Sequence, residues 1–205
     1  MFQTFDATTT PHTGGPRLAA LREQLKREGL DGFVIPRADA HQGEYVADCD
    51  KRLAWLTGFT GSAGFCVALA ETAGVFIDGR YTLQVRDQVD LDHFTPVDFP
   101  KNKLGDWLAD TAKSGDVIGF DPWLHTKGDI DAANKSLADT GITLKPCENL
   151  IDCIWADHPA APTDLMVPYS VDLAGKSSTE KRAEIAEKLR KDGRGSVVLP
   201  KPDAI

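Results

Sequence analysis

Polar residues able to do chemistry gather in two short segments of the chain. Residues 39–45 (Asp-Ala-His-Gln-Gly-Glu-Tyr) place His41 and Glu44 close together, and a later segment contains Arg80 and Tyr81. Histidine and glutamate transfer protons or ligate metals, whereas arginine and tyrosine donate hydrogen bonds to carboxylates and carbonyls. These four side chains are therefore our candidates for contact with a substrate cleft.

None of these residues completes a known catalytic pattern. His41 and Glu44 lack the second histidine of the His-Glu-x-x-His zinc helix, so we favour a structural role over a metal site. Ser62 lies outside the Gly-x-Ser-x-Gly spacing of a nucleophile elbow. The glycines of residues 58–64 are spaced three apart, which predicts a tight loop and differs from the Gly-x-Gly-x-x-Gly spacing of dinucleotide sites. We expect no catalytic residue and no metal ligand set in this chain.

A second polar cluster spans residues 121–131. A proline and a glycine interrupt it, and its last two carboxylates are two positions apart on a predicted helix, so they face different ways. A metal site is therefore the less favoured interpretation for Asp121, His125, Asp129 and Asp131.

Two interpretations are open for the segment that contains Arg80. Asp78 can cap the following turn and pair with the Arg80 guanidinium, which is a purely structural role. Alternatively, Arg80 or Tyr81 reaches a substrate cleft in a larger protein. We favour the structural role.

Composition limits the class of protein. The chain has 205 residues, 41% hydrophobic and 26% charged, and no apolar run of transmembrane length, which predicts a soluble globular protein. Its net charge of −8 argues against nucleic-acid binding. No secretory signal begins the chain, and its four cysteines form no Cys-x-x-Cys pair, so we expect reduced thiols and a cytoplasmic protein without membrane contact.

Helical and extended signals alternate along the chain, which predicts an α/β fold with a mixed sheet flanked by helices. The sheet should be mixed because the strands at 65–69 and 75–77 are separated by a hairpin-length turn. Further strands are predicted at 32–35, 94–97, 117–120 and 142–144, with helices at 17–28, 81–89, 104–108, 130–137 and 150–155.

An internal repeat divides the chain. Residues 25–40 align without gaps to residues 189–204, with Leu, Gly, Val, Pro, Asp and Ala recurring at matching positions. Between the copies, residues 156–176 are rich in proline and predict a linker. We therefore expect a flexible tail (1–15), a first domain (16–155), the linker (156–176), and the first helix and strand of a second similar domain, cut short (177–205).

Four segments of the chain form a recognisable set, residues 39–45, 58–64, 76–81 and 148–155. Together they resemble the N-terminal region of long-form Xaa-Pro aminopeptidases, the aminopeptidase P family. The resemblance covers the chain from about residue 16 onward. It implies two creatinase-like N-terminal domains followed by a catalytic domain, which agrees with the internal repeat.

The resemblance also implies what the parent protein does. Family members are metallopeptidases that remove the residue preceding proline, using two divalent metals, expected to be manganese, in the third domain. This chain would then be non-catalytic, would shape substrate access, and would contact its own C-terminal domains and, in a homodimer, a second subunit. Two alternatives are a free-standing peptide or small-molecule binding module with a pocket at the Asp39 and Arg80 loops, and a creatine- or Pro-dipeptide-type hydrolase.

Overall fold

A computed structural model describes residues 9–199 of the chain. It divides into two compact units, Met1–Ala161 and Pro162–Ile205. The first contains α1 (Gly14–Glu28), β1 (Gly32–Pro36), α2 (Arg52–Thr57), β2 (Phe65–Leu69), β3 (Ala73–Ile77), α3 (Gln84–Gln88), β4 (Thr95–Asp98), α4 (Leu104–Thr111), β5 (Val117–Phe120), α5 (Lys127–Leu137), β6 (Thr143–Pro146) and α6 (Leu150–Ile154).

Six strands form one mixed sheet in the order β4-β3-β2-β1-β5-β6. β2 runs antiparallel to both of its neighbours, β1 and β3. The other neighbouring pairs are parallel: β1 with β5, β5 with β6, and β3 with β4. All strands except β2 therefore end at the same edge of the sheet, here called the carboxyl edge. The predicted mixed α/β sheet is confirmed.

Both faces of the sheet are buried, each by a separate apolar cluster. Phe33 and Ile35 of β1 point to the cluster that contains α1, α2 and α6. Val34, between them, belongs to the opposite cluster, which includes Leu108 of α4 and Leu137 of α5. Successive side chains of a strand point to opposite faces, so a strand covered on both sides reads as a continuous apolar run.

The helix α1 starts earlier than predicted. It begins at Gly14, after a 3-10 turn at Pro11–Thr13, so the expected flexible tail of residues 1–15 is too long. Both glycines that begin the helix are buried: a Cβ atom on Gly14 would lie 2.9 Å from Phe94, and one on Gly15 would lie 2.8 Å from His93. Tertiary packing therefore stabilises helical turns that glycine alone disfavours. The remainder of the predicted tail, residues 1–8, lies outside the described residues.

The described residues of the second unit, 162–199, contain two helices, α7 (Val171–Ala174) and α8 (Ser178–Lys191). Ser177 and Glu180 form the predicted capping box at the start of α8. The predicted linker contains α7, which Ser170 caps and left-handed Gly175 ends.

The predicted strand of a second domain is wrong for residues 196–199, which pair with no strand among residues 9–199. A strand needs a hydrogen-bonding neighbour. The rest of that prediction, residues 200–205, lies outside the described residues.

No helix among residues 9–199 has the length and apolar character that a membrane span requires.

Gly58, which ends α2, is the glycine whose replacement should cost most. Its φ is +84°, and a Cβ atom there would lie 2.4 Å from the Gln88 carbonyl oxygen. We predict that Gly58→Ala lowers the free energy of unfolding by about 2 kcal/mol or more, because both strain and a backbone clash result. Gly79→Ala is the matched control, since a Cβ atom there meets nothing within 4 Å. Urea unfolding measures both, and equal stability of the two variants would contradict the prediction.

Candidate functional site

Three loops meet at the carboxyl edge of the sheet and carry the predicted site residues. We call residues 37–45 the Asp39 loop, residues 58–64 the glycine loop, and residues 78–81 the Arg80 turn. The first follows β1, the second precedes β2, and the third follows β3. Ligand sites in open α/β sheets lie at this edge because the connecting loops gather there.

The Asp39 loop is held by its own hydrogen bonds. The Asp39 carboxylate accepts the backbone N–H groups of His41 and Gly43, each at 2.9 Å. The backbone N–H of Arg37 donates to the carbonyl of Gly64 at 2.9 Å, which joins this loop to the glycine loop. His41 and Glu44 are both exposed, and the His41 imidazole makes no hydrogen bond to another residue in the 9–199 range.

The Tyr81 side chain holds the glycine loop in place. Its hydroxyl lies 2.7 Å from the Ser62 hydroxyl and accepts the Ser62 backbone N–H at 3.1 Å. Its ring packs edge-on against Phe59, with 5.4 Å between ring centroids. From the sequence, Ser62 was considered only as a nucleophile. In the structure it lies in the glycine loop, where its backbone N–H and its hydroxyl contact the Tyr81 hydroxyl.

Arg80 pairs with Asp78, as the structural interpretation of this turn predicted. The guanidinium donates to the Asp78 carboxylate at 2.7 Å and lies over the Tyr81 ring, 5.0 Å from its centroid. The Arg80 hydrogen bond lowers the pKa of Asp78, and the same bond, with a smaller contribution from the nearby Glu44 charge, raises the pKa of Arg80. The structure thus places Arg80 against Tyr81, while His41 and Glu44 lie on the Asp39 loop and make no side-chain hydrogen bond or ion pair to them among residues 9–199.

The carboxylates of the second polar cluster each have a structural partner. Asp121 accepts the side-chain amide of Asn149 at 3.0 Å and the backbone N–H of Trp123 at 2.9 Å. Asp129 accepts the Thr126 hydroxyl at the start of α5, and Asp131 pairs with Lys127. Within the described part of the chain, no group of three or more His, Cys, Asp or Glu side chains could hold a metal ion.

The class of protein follows from comparison of this chain with a family model and with a solved structure. Residues 17–154 match the family model of the creatinase/prolidase N-terminal domain, and the chain belongs to that family. The N-terminal domain of the cytoplasmic peptidase PepQ from Mycobacterium tuberculosis shares the fold, with a TM-score of 0.53 and 24% identity over 68% of this chain and 98% of that one.

Relatives similar in sequence to this chain include proteins named as Xaa-Pro aminopeptidases. The probable Xaa-Pro aminopeptidase P of Coccidioides posadasii is 35% identical over 98% of this chain and 32% of its own length. A crystal structure of X-prolyl aminopeptidase from Caenorhabditis elegans, described as a cytosolic enzyme with a di-nuclear active site, has a TM-score of 0.78 and 30% identity over 88% of this chain and 31% of that chain. The predicted resemblance is confirmed, and this chain spans about a third of the length of the curated relatives it matches.

The two metals implied by the family do not fit this chain. The C. elegans enzyme is described as having a di-nuclear active site. A two-metal site needs several carboxylate or imidazole ligands converging on one place, and residues 9–199 contain no such group. We therefore derive no catalytic step from the residues present.

Removing the Tyr81 hydroxyl should loosen the glycine loop. We predict that Tyr81→Phe lowers the free energy of unfolding by about 1 kcal/mol, because the Ser62 N–H and hydroxyl both lose their partner. Tyr45→Phe is the control, since Tyr45 is 92% exposed. Urea unfolding measures stability, and amide exchange of residues 60–64 measures the loop. Unchanged exchange in Tyr81→Phe would contradict the role given to the hydroxyl.

His125 should make the protein less stable in mild acid. Burial lowers the pKa of His125 below its ordinary value of 6.5, and Asp121 and Asp129 only partly oppose that shift. Between the two pKa values the unfolded chain binds a proton that the native chain does not, so stability falls as pH drops below 6.5. We predict that His125→Phe loses less stability than the wild type between about pH 7.5 and about pH 5.5 in urea unfolding. Equal losses would contradict this assignment.

Proposed function

We propose that this chain is the non-catalytic N-terminal region of an Xaa-Pro aminopeptidase, a metallopeptidase that removes the residue preceding proline. The observation that carries the proposal is the similarity to Xaa-Pro aminopeptidase P proteins, which extends over 98% of the chain at 35% identity. The chain itself matches the creatinase/prolidase N-terminal domain over residues 17–154.

In this proposal the carboxyl edge shapes the substrate's entry. The substrate is a peptide with proline in second position, and His41, Glu44, Arg80 and Tyr81 are the candidate contacts at the mouth of the cleft. Arg80 supports this assignment because it is exposed and its ion-pair partner within residues 9–199 is a single neighbouring carboxylate, the half-buried Asp78. A carboxylate or carbonyl of a peptide is the partner that a guanidinium in this position binds best.

The proposal extends to the parent protein as a whole. Two divalent metals, expected to be manganese, would be held by its C-terminal domain, and the working protein would be a cytoplasmic homodimer. Residues 156–176 would link this domain to a second creatinase-like domain that begins at residue 177. The C. elegans relative, described as cytosolic and di-nuclear, supports the location and the number of metals.

The first test uses the 205-residue chain itself. Incubated with Mn²⁺ or Zn²⁺ and an Ala-Pro-Pro peptide, it should release no alanine, because residues 9–199 contain no ligand group that could hold a metal and activate its bound water. Release of alanine that requires the metal and disappears in His41→Ala or Glu44→Ala would overturn the non-catalytic assignment.

The second test asks whether the carboxyl edge contacts substrate. This chain would replace the matching segment of the C. elegans enzyme, and KM for Ala-Pro-Pro would be measured together with metal content. Arg80→Ala should raise KM about tenfold, the effect of losing one charge-assisted hydrogen bond, and leave metal content unchanged. Arg86→Ala, an exposed arginine of α3, is the matched control. Equal KM values in the two variants would contradict the cleft role.

A further inference from the structure

A cavity of about 450 Å³ lies beside the Asp39 loop, on the face of the sheet covered by α4 and α5. Its walls include Val34 of β1, Phe65 of β2, Leu104 of α4 and Ala133 of α5. Small-molecule sites in proteins have about this volume and are apolar with a few converging polar groups. Neither Arg80 nor Tyr81 lines this cavity, so it is a separate feature of the carboxyl edge.

The charged groups around the cavity are mostly cationic. Arg37 and Lys103 line it, and within residues 9–199 neither lies within 4.0 Å of a carboxylate. Within the described part of the chain, the Arg37 guanidinium donates to a backbone carbonyl, that of Glu44, and to no carboxylate. The single acidic side chain of the lining, Asp129, already accepts the Thr126 hydroxyl at 2.6 Å. An anionic group entering the cavity would therefore meet two cations that lack an anionic partner.

Two further polar features face the same space. The first turn of α4, which follows Lys103, has no side-chain cap, and Leu104 and Gly105 of that turn line the cavity. The first N–H groups of a helix favour negative charge when no cap accepts them. His125 also lines the cavity, and its Nε2 atom is buried without a hydrogen-bond partner in the described part of the chain. Buried polar atoms of this kind are rare in native proteins.

One residue of the cavity wall, Gln42, has an uncommon backbone conformation. Gln42 has a φ of +56°, which non-glycine residues seldom adopt, and its side-chain amide donates to the Leu124 carbonyl at 3.1 Å. This bond connects the Asp39 loop to the residue preceding His125 and closes one side of the cavity. Such backbone strain persists where the surrounding structure requires it, often at ligand sites.

We propose that this cavity binds a small carboxylate with an apolar body. The carboxylate would lie between Arg37, Lys103 and the first turn of α4, and the apolar body would pack against the side chains of Val34, Phe65 and Leu104. A carboxylate fits better than a phosphate because the walls are largely apolar and one carboxylate, Asp129, is already present. A free organic acid and the C-terminal end of a short peptide both have this chemistry.

The experiment titrates the ¹⁵N-labelled 205-residue chain with 3-phenylpropionate, with its neutral amide 3-phenylpropionamide, and with N-acetyl-Ala-Phe. We expect the carboxylate to shift the amide signals of residues 104–106 and the ring signals of His125, and to bind at least about tenfold more tightly than the neutral amide. Tighter binding of N-acetyl-Ala-Phe supports a peptide end as the source, and tighter binding of 3-phenylpropionate supports a free acid. Binding of neither below about 10 mM overturns the proposal.

Two variants locate the site. Lys103→Gln should weaken 3-phenylpropionate binding about tenfold, whereas Lys101→Gln, an exposed lysine outside the lining, should not. Ala132→Leu should abolish binding because it fills the cavity from an exposed position of α5 without changing the core. Amide spectra show whether each variant is folded. Full binding by folded Ala132→Leu, or equal weakening by the two lysine variants, would overturn the assignment to this cavity.

Discussion

The parallel pairing of β1 with β5 is the interaction on which the rest of the domain depends. It joins Gly32–Pro36, early in the chain, to Val117–Phe120, far along it, and thereby makes one sheet of two halves. The pairing leaves β1 covered on both faces, since Phe33 and Val34 belong to opposite apolar clusters. Long-range parallel pairing is entropically costly, and the burial of apolar surface on both faces offsets that cost.

The same pairing determines where the polar loops lie. Because β1, β3 and β5 run in one direction, the loops that follow them all emerge at the carboxyl edge. The antiparallel strand β2 enters from that edge, so the glycine loop that precedes it is brought there too. The candidate residues share one edge of the sheet for this topological reason, although they are widely spaced in sequence.

Features with a local signal could be predicted from the sequence. The leucine spacing of α1 and its end at left-handed Gly29, the continuous apolar runs of the strands, and the capping box of α8 depend on neighbouring residues alone. The mixed sheet followed from one hairpin-length turn. The family resemblance depended on four segments at once, which made it specific enough for the comparisons to confirm.

Features that depend on distant contacts could not be predicted. The Ser62–Tyr81 hydrogen bond joins residues 19 positions apart, and the Gln42–Leu124 bond joins residues 82 apart. No local pattern encodes either bond, and the cavity exists only because α4 and α5 pack beside β1. The six-residue helix α2 was also missed, since no helix was predicted over residues 52–57.

Arg52 and Arg80 differ in burial, and this difference separates an arginine that stabilises the fold from one whose charge is accessible to solvent. Arg52 is 9% exposed and donates to Asp152 at 2.6 and 2.9 Å and to Asp50 at 2.9 Å, which ties α2 to α6. Losing both carboxylates there would leave a buried charge unpaired, so these bonds are fixed. The side chain of Arg80, in contrast, is 64% exposed, and water screens its pair with Asp78. Of these two arginines, Arg80 is therefore the one that could exchange its partner without leaving a buried guanidinium unpaired.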